Sequence, residues 1–193
     1  MLSVIIATRN CERALVHTLS MLVGASVAGV VRDVVVADAG SSDETGEIAD
    51  IAGCALLVSR APLATRLREA AGAARGAWLL FLRPGTVLEA SWVEEAARFV
   101  TDAERRGSAE TAAVFRSQPL PGRSAAAQAL ALLKEALRRT PDPGQGLIIS
   151  RQFYESVGRH RLQAGDPEAD LLRRIGRSRL VRLRSGITPF DAD

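Results

Sequence analysis

Two features of this sequence could do chemistry: an acidic turn near the N-terminus and arginine clusters near the C-terminus. Asp-Ala-Gly-Ser at residues 38–41 follows an apolar run, and a carboxylate beside a glycine turn can bind a base or a ribose. Residues 151–184 hold nine arginines against four acids. Because one guanidinium pairs with two phosphate oxygens at once, this third of the chain could face an anionic substrate or a membrane surface.

Other common sites are excluded by the absence of their motifs. The first apolar run is followed by Thr-Arg-Asn at residues 8–10 and not by a glycine fingerprint, and no Walker A phosphate-binding loop occurs. No His/Cys group has zinc-binding spacing. His17 lies on a helical pattern, and His160 is the closer of the two histidines to the candidate site. Dinucleotide binding, P-loop chemistry and a structural zinc site are therefore not expected.

The elements that must position these residues are alternating strands and helices. Short apolar runs predict buried strands at residues 2–7, 34–37, 54–58, 78–82 and 112–116. Helices are predicted up to about residue 23, from residue 43 with Ser42 as its N-cap, and at residues 63–75, 89–106 and 125–139. This alternation predicts an α/β fold with a parallel sheet, whose ligands bind at the carboxyl ends of the strands.

The order of the motifs resembles that of the family 2 glycosyltransferases. Ser-Val-Ile-Ile-Ala-Thr-Arg-Asn at residues 3–10 is similar to the family's first strand, and Asp-Ala-Gly-Ser-Ser-Asp-Glu-Thr at residues 38–45 to the end of its second. Leu-Leu-Phe-Leu at residues 79–82 resembles its fourth strand. The resemblance covers most of residues 2–100 and, more weakly, residues 144–180. It implies a GT-A-like three-layer α/β/α sandwich with a mostly parallel central sheet.

The resemblance also implies a nucleotide-binding loop and its residues. Carried over, it assigns nucleotide binding to Ala7, Thr8, Arg9, Asn10 and Asp38. For Asp38 the alternative is an aspartate that only caps its own turn. Arg66, on the helix before the fourth strand, could help to bind the diphosphate or could lie on a solvated helix face.

The chain departs from the family where a divalent cation, Mg²⁺ or Mn²⁺, is expected. Family members end the fourth strand in an acidic D-x-D-like motif, but this chain has Arg-Pro-Gly-Thr at residues 83–86. Arg83 could neutralise the diphosphate in place of the metal, or the site has decayed. An acidic residue that relatives often carry near residues 144–146 is absent as well. The cofactor therefore stays unknown.

The family's catalytic base would fall within residues 166–170. Aligned on Asp170, the base position is occupied by Glu168, and Asp166 is a competing candidate. The alternative is that all three acids merely open a helix whose later turns carry arginines. Residues 177–184 alternate in a way that predicts an exposed edge strand with an arginine face.

Three functions remain open for a chain of 193 residues with 47% hydrophobic residues and a net charge of +3. The first is a sugar transfer from a nucleotide sugar to an unknown acceptor, either lipid-linked or a polysaccharide, without a metal. The second is a non-catalytic relative that acts as a binding or scaffold protein. The third, nucleic-acid binding, is disfavoured by the interspersed acids and the low aromatic content of 4%.

The sequence also predicts one domain and its location. We expect residues 1–193 to form one glycosyltransferase-like domain, with a nucleotide-binding half at residues 1–100 and an acceptor-side half at residues 101–193. No segment resembles a signal peptide or a membrane span, so the expected location is the cytoplasm. The amphipathic helix at residues 125–139 could add a peripheral contact with the inner face of the membrane.

Overall fold

The computed structural model describes residues 1–107, 110–118 and 141–189. The helix predicted at residues 125–139 lies outside the described residues. In the described part, no helix is long and apolar enough to cross a membrane.

The described residues form an eight-stranded sheet, ordered β3-β2-β1-β4-β7-β6-β8-β5. The strands are β1 (Leu2–Thr8), β2 (Val31–Asp38), β3 (Ala55–Val58), β4 (Trp78–Leu82), β5 (Thr86–Leu88), β6 (Ala112–Ser117), β7 (Leu147–Ser150) and β8 (Leu180–Pro189). The helices are α1 (Glu12–Val27), α2 (Thr45–Ile51), α3 (Leu63–Ala73), α4 (Trp92–Arg105), α5 (Arg151–Ser156) and α6 (Pro167–Ile175). Short 3-10 turns occupy Pro143–Gln145 and Arg177–Arg179.

The sheet is mostly parallel on its N-terminal side and mixed beyond β4. β1 pairs in parallel with β2 and β4, and β2 pairs in parallel with β3. β7 then runs antiparallel to both β4 and β6, whereas β6 and β8 are parallel. The carboxyl ends of β1 to β4 therefore lie along one edge of the sheet, which is where ligands bind in such folds.

Two apolar cores cover the two faces of the sheet. Alternate residues of a strand point to opposite faces, so Val4 and Ile6 of β1 pack into the core with α1 and α4, while Ile5 packs into the core with α3, α5 and α6. In β4, Leu80 packs into the core with α1 and α4, and Phe81 packs into the core with α3, α5 and α6. This burial on both sides explains why the predicted strands are continuous apolar runs and confirms the α/β fold class.

Several local predictions were wrong. Ser42 does not cap α2, which begins at Thr45; instead the Asp43 carboxylate accepts the Thr45 amide at 3.1 Å. The strand predicted at residues 177–184 is not at the edge, because β8 lies between β6 and β5. Its arginine face is present, since Arg182 and Arg184 are exposed. Strands β5 and β7 were not predicted.

Three of the nine C-terminal arginines bind the backbone rather than facing a ligand. Arg151 donates to the carbonyl oxygens of Ala71 at 2.6 Å and Ala74 at 2.5 Å, which satisfies the C-terminal end of α3, and to that of Gly76 at 3.1 Å. Arg179 donates to the Ile175 carbonyl oxygen at 2.8 Å and caps α6, and Arg174 donates to carbonyl groups between α5 and α6. The local arginine excess therefore overstates the positive charge available to a ligand.

Candidate functional site

The loop after β1 and the loop after β2 are bonded together at the carboxyl edge of the sheet. Asn10 has a positive φ of 46°, which an asparagine tolerates better than most residues. In this conformation its amide donates to Ser41 Oγ at 2.9 Å, and its side-chain oxygen accepts the Ser42 amide at 2.8 Å. A further bond joins the Cys11 amide to Thr45 Oγ1 at 3.0 Å. The two predicted nucleotide-binding loops thus form one surface.

Asp38 holds this surface from below. Its Oδ1 accepts hydroxyl groups from Thr8 at 2.8 Å and Ser41 at 2.5 Å, and its Oδ2 accepts the amides of Gly40 at 2.8 Å and Ser41 at 2.7 Å. Burial tends to raise the pKa of Asp38, but the hydrogen bonds from Ser41, Thr8 and Gly40 outweigh it and lower the pKa. With 2% exposure and both oxygens doubly bonded, Asp38 organises the turn. Contact with a ligand would require one of these bonds to break.

Arg66 is also engaged with the protein backbone. Its guanidinium donates to the carbonyl oxygens of Ala37 and of Thr8, the latter at 3.3 Å, and its Nε donates to Ala61. Burial lowers the pKa of Arg66. The nearby Asp38 carboxylate acts in the opposite direction, and the positive charge of Arg9 lowers the pKa further. Arg66 therefore ties α3 to the ends of β1 and β2, and so fixes the floor of the site.

A polar cleft of about 600 Å³ lies above these loops. Its charged side chains are the three arginines Arg9, Arg60 and Arg66, and its backbone wall includes Gly40. Gly40 has a φ of +81°, which favours glycine, and a Cβ atom there would only reach van der Waals contact with Arg60 Nε at 3.4 Å. Three guanidinium groups without an acidic side chain in the lining suit an anionic ligand.

Sequence reasoning missed Arg60, although a signal for it existed. Arg60 comes two residues after the end of β3, which is parallel to β2. The rule that places ligands at the carboxyl ends of parallel strands applies to this residue as well as to Asp38 and Arg83.

The structure brings Arg83 and Glu168 together. Arg83 follows β4 directly, and Glu168 lies in the first turn of α6. Glu168 Oε2 accepts Arg83 Nη2 at 2.7 Å and Arg83 Nε at 3.0 Å. Burial raises the pKa of Glu168 and the carboxylates of Asp166 and Asp142 reinforce this, although Arg83 acts in the opposite direction. Burial tends to lower the pKa of Arg83, but Glu168 outweighs it, so that this pKa is raised.

The other two acids of this segment have structural partners. Asp166 is the N-cap of α6, and its Oδ1 accepts the amides of Glu168 at 3.1 Å and Ala169 at 3.0 Å. Asp170 pairs with Arg174 at 2.8 Å and Arg173 at 3.5 Å. The helix-opening interpretation therefore describes Asp166 and Asp170, while Glu168 alone points to Arg83.

The residues after β4 do not fit a divalent cation. No group of three or more His, Cys, Asp or Glu residues in the described ranges could hold a metal ion. At the position where the fold family has its acidic motif, the Arg83 guanidinium is bonded to Glu168. A guanidinium repels a cation and cannot donate a lone pair to it, so no step of the chemistry is assigned to a metal here.

His160 is buried and neutral rather than a candidate base. Its Nδ1 lies 2.7 Å from the Tyr154 hydroxyl, and its ring contacts Phe81 edge-on at 4.9 Å. Burial and, to a smaller extent, the positive charges of Arg174 and Arg68 lower its pKa to about 3. Burial likewise raises the pKa of Tyr154 to about 12. This pair packs behind β4 as part of the core.

The wall of the site next to Arg83 depends on one glycine. Gly146 has φ +67°, and a Cβ atom there would lie 3.0 Å from Leu82 Cδ2 and 3.1 Å from Phe115 Cδ2. In the same turn, the Asp142 carboxylate accepts the Gly144 amide at 2.9 Å. Asp142 of this turn acts electrostatically on both members of the Arg83–Glu168 pair.

Comparison with known proteins identifies the fold. No protein-family model and no curated protein sequence matches the chain. Among solved structures, S. aureus TarS residues 1–349 is 16% identical, with a TM-score of 0.70 over 98% of this chain and 60% of that one. A Pyrobaculum calidifontis mannosyltransferase in complex with GDP-Man and Mn²⁺ is 17% identical, with a TM-score of 0.73 over 97% of this chain and 56% of that one.

A third structure is glucosyl-3-phosphoglycerate synthase from Mycobacterium tuberculosis, in complex with Mn²⁺, UDP and glucosyl-3-phosphoglycerate. It is 18% identical, with a TM-score of 0.66 over the whole of this chain and 73% of that one. The chain spans 60% and 56% of the length of the first two structures. These likenesses show that the chain has the fold of the GT-A glycosyltransferases, as the sequence predicted.

Proposed function

We propose that this protein binds a nucleotide sugar at the carboxyl edge of its sheet and transfers the sugar to an acceptor without a divalent cation. The observation that carries the proposal is the arginine-lined cleft over the ends of β1 to β3, together with the Arg83–Glu168 pair at the end of β4, the strand next to β1. Only β1 separates β2 from β4, so the two sites are about 10 Å apart, or two strand spacings. A nucleoside diphosphate can span that distance.

In this proposal the nucleotide lies on the loop after β1. The side chains of Arg9 and Asn10 line the cleft and would contact the nucleotide, Arg60 closes the cleft, and Ala7 and Thr8 at the end of β1 hold this loop in place. Asp38 and Arg66 support the loop from below, because their polar atoms are already bonded to Thr8 and to neighbouring backbone groups. The predicted nucleotide-binding residues therefore divide into ligand contacts and positioning residues.

The chemical step would depend on Arg83 and Glu168. As the acceptor oxygen forms its bond to the anomeric carbon, the bond from that carbon to the diphosphate oxygen breaks. The leaving diphosphate keeps the electron pair, and the Arg83 guanidinium would stabilise its charge. Glu168 would take the proton of the acceptor hydroxyl, because Asp166 already accepts two amides as a helix cap.

The proposal can be tested by thermal unfolding with UDP, GDP, their sugar conjugates and matching nucleosides, each with Mn²⁺ or with EDTA. A ligand at about 100 times its Kd adds about 2.7 kcal/mol, which raises the Tm by several degrees in a chain of this size. We expect a shift with a nucleoside diphosphate that does not need Mn²⁺ and that Arg60→Met reduces.

Arg32→Met is the matched control, since Arg32 is also exposed but lies at the opposite end of β2. If no nucleotide shifts the Tm, binding of a nucleotide sugar is refuted. If nucleotides bind but no sugar is transferred to any of a set of glycan and lipid-linked acceptors, the protein is a non-catalytic binding relative.

The acceptor and its location belong to this proposal as well. We propose a lipid-linked or polysaccharide acceptor at a membrane surface, because exposed apolar side chains line a groove between α1 and α2. Those of Val16, Val23, Val27 and Ile51 are 48–84% exposed. Exposed apolar groups can enter the boundary region of a bilayer. Co-sedimentation with anionic lipid vesicles should decrease in Val23→Ser and Val27→Ser, and absence of any sedimentation would exclude the membrane contact.

A further inference from the structure

The residue that would stabilise the leaving group and the residue that would activate the acceptor, both acting at the anomeric carbon, are bonded to each other in this structure. Arg83 would stabilise the leaving diphosphate, and Glu168 would take the acceptor proton, yet Arg83 Nη2 and Nε both donate to Glu168 Oε2. While this pair persists, the carboxylate is a weaker base and the guanidinium is partly occupied.

We propose that the Arg83–Glu168 pair is a switch, in which a nucleoside diphosphate takes Arg83 away from Glu168 and thereby makes Glu168 available as the base. The inference rests on the proposed function, since it requires a nucleotide at this edge of the sheet. It predicts that the donor binds before proton transfer from the acceptor becomes possible.

The geometry of the pair allows the exchange. The Arg83 side chain is 47% exposed, whereas that of Glu168 is 16% exposed. An incoming anion can therefore contact the exposed side of the guanidinium first and then draw it away from the carboxylate. Both donors of Arg83 converge on a single oxygen of Glu168, whereas a diphosphate offers several oxygens and a larger charge for a bidentate contact. The diphosphate is thus the better partner once it is present.

The surroundings of Glu168 determine how its protonation changes when Arg83 leaves. The charged groups that act on the carboxylate are Arg83, which favours its ionised form, and the carboxylates of Asp166 and Asp142, which disfavour it. Without the guanidinium, burial and the two carboxylates raise the pKa of Glu168 further. Donor binding should therefore be linked to partial proton uptake by this residue, and the fraction that stays ionised is a stronger base than the carboxylate in the ion pair.

The linkage can be measured by isothermal titration calorimetry of the intact protein with UDP and GDP in buffers of different ionisation enthalpy. We expect a fraction of a proton to be taken up per nucleotide bound, because the pKa of Glu168 rises further when Arg83 leaves. The nucleotide itself also titrates, so the contribution of Glu168 is the difference between the wild type and Glu168→Gln.

Two variants should respond in opposite ways. Glu168→Gln releases Arg83 and should bind the diphosphate about two- to fivefold more tightly, as for the loss of a partly exposed competing ion pair. Arg83→Met should bind the diphosphate more weakly. Both variants should lose the proton uptake that is linked to nucleotide binding. Glu155→Gln removes an exposed carboxylate that pairs with Arg159 near the end of α5, and should change neither quantity.

The outcomes separate this inference from the proposed function. If no nucleotide binds, both are overturned. If a nucleotide binds with equal affinity and equal proton uptake in the wild type and in Glu168→Gln, nucleotide binding stands and the switch is refuted. Far-UV circular dichroism and the Tm of each variant show whether it is folded, and Arg83→Met provides the second measurement if Glu168→Gln is not.

Discussion

Protonation of His160 should destabilise the fold strongly in mild acid. His160 is 1% exposed and its pKa is lowered to about 3 by burial and by nearby arginines, from 6.5 for an ordinary histidine. At pH values between about 3 and 6.5, this histidine binds a proton in the unfolded chain but not in the folded protein, so the free energy of unfolding falls as the pH decreases. At about 1.4 kcal/mol per pKa unit, the loss is roughly 3 kcal/mol by pH 4 and roughly 5 kcal/mol below pH 3.

The perturbation that isolates this effect is His160→Gln. Glutamine keeps a polar group near the Tyr154 hydroxyl but does not titrate. We expect the variant to be less stable than the wild type at pH 7, because it loses the ring contact with Phe81. This deficit should shrink as the pH falls, so that the difference in the free energy of unfolding narrows by roughly 3 kcal/mol between pH 7 and pH 4.

The assay is urea unfolding at a series of pH values, followed by circular dichroism and analysed by linear extrapolation. His17→Gln is the matched control, since His17 is the other histidine of the chain and is exposed. Parallel profiles for the wild type and His160→Gln from pH 7 to pH 4 would show that His160 is not a neutral core residue.

Three further substitutions test other contacts by urea unfolding. Gly146→Ala should cost about 1–3 kcal/mol more than Gly107→Ala, because both have positive φ but only the first meets neighbouring side chains; equal costs would refute the packing argument. Arg151→Met should lose about 2–3 kcal/mol by leaving helix-end carbonyl groups unsatisfied. Arg75→Met should lose less than about 1 kcal/mol, because the Arg75 side chain is largely exposed and the largely buried Asp33 carboxylate keeps its bonds from Ser3 Oγ and from the Arg75 amide. Asp38→Asn should lower the free energy of unfolding by about 2 kcal/mol at pH 7. Because the pKa of Asp38 is lowered, the difference in stability between the wild type and this variant should shrink as the pH falls below about 4. A difference that stays constant with pH would contradict an ionised Asp38 in the turn.

The parallel half of the sheet could be predicted from the sequence because its strands are buried on both faces. A strand of that kind is a continuous apolar run, such as Trp78–Leu82, and the order of such runs is visible without a structure. β5 has only three residues and β7 only four. The equally short β3 was predicted because a turn precedes it and a loop follows it, whereas β7 runs directly into α5 and β5 is one residue shorter. A run of that kind does not differ from the end of a loop or the start of a helix, which is why these two strands were missed.

The partners of the charged residues could not be predicted, because they lie far apart in the chain. Arg83 and Glu168 are separated by 85 positions, and no local pattern links them. Arg66 was expected at a phosphate or on a solvated helix face. Instead it donates to the carbonyl oxygens of Thr8 in β1 and Ala37 in β2, which lie 58 and 29 positions away in the chain. Asp38 was correctly placed in the turn, yet whether its oxygens are free depends on Thr8, 30 positions away.

The position of β8 between β5 and β6 has a consequence for the order of folding. Strands β1 to β4 come from the first 82 residues and pair only with one another and with β7. β5 has no neighbour in the described sheet except β8, and Glu89 accepts the Gly186 amide across 97 positions. On a ribosome the parallel half can assemble early, whereas β5 must wait for nearly the whole chain. In pulsed hydrogen exchange during refolding, amides of β1 and β2 should gain protection before those of β5 and β8.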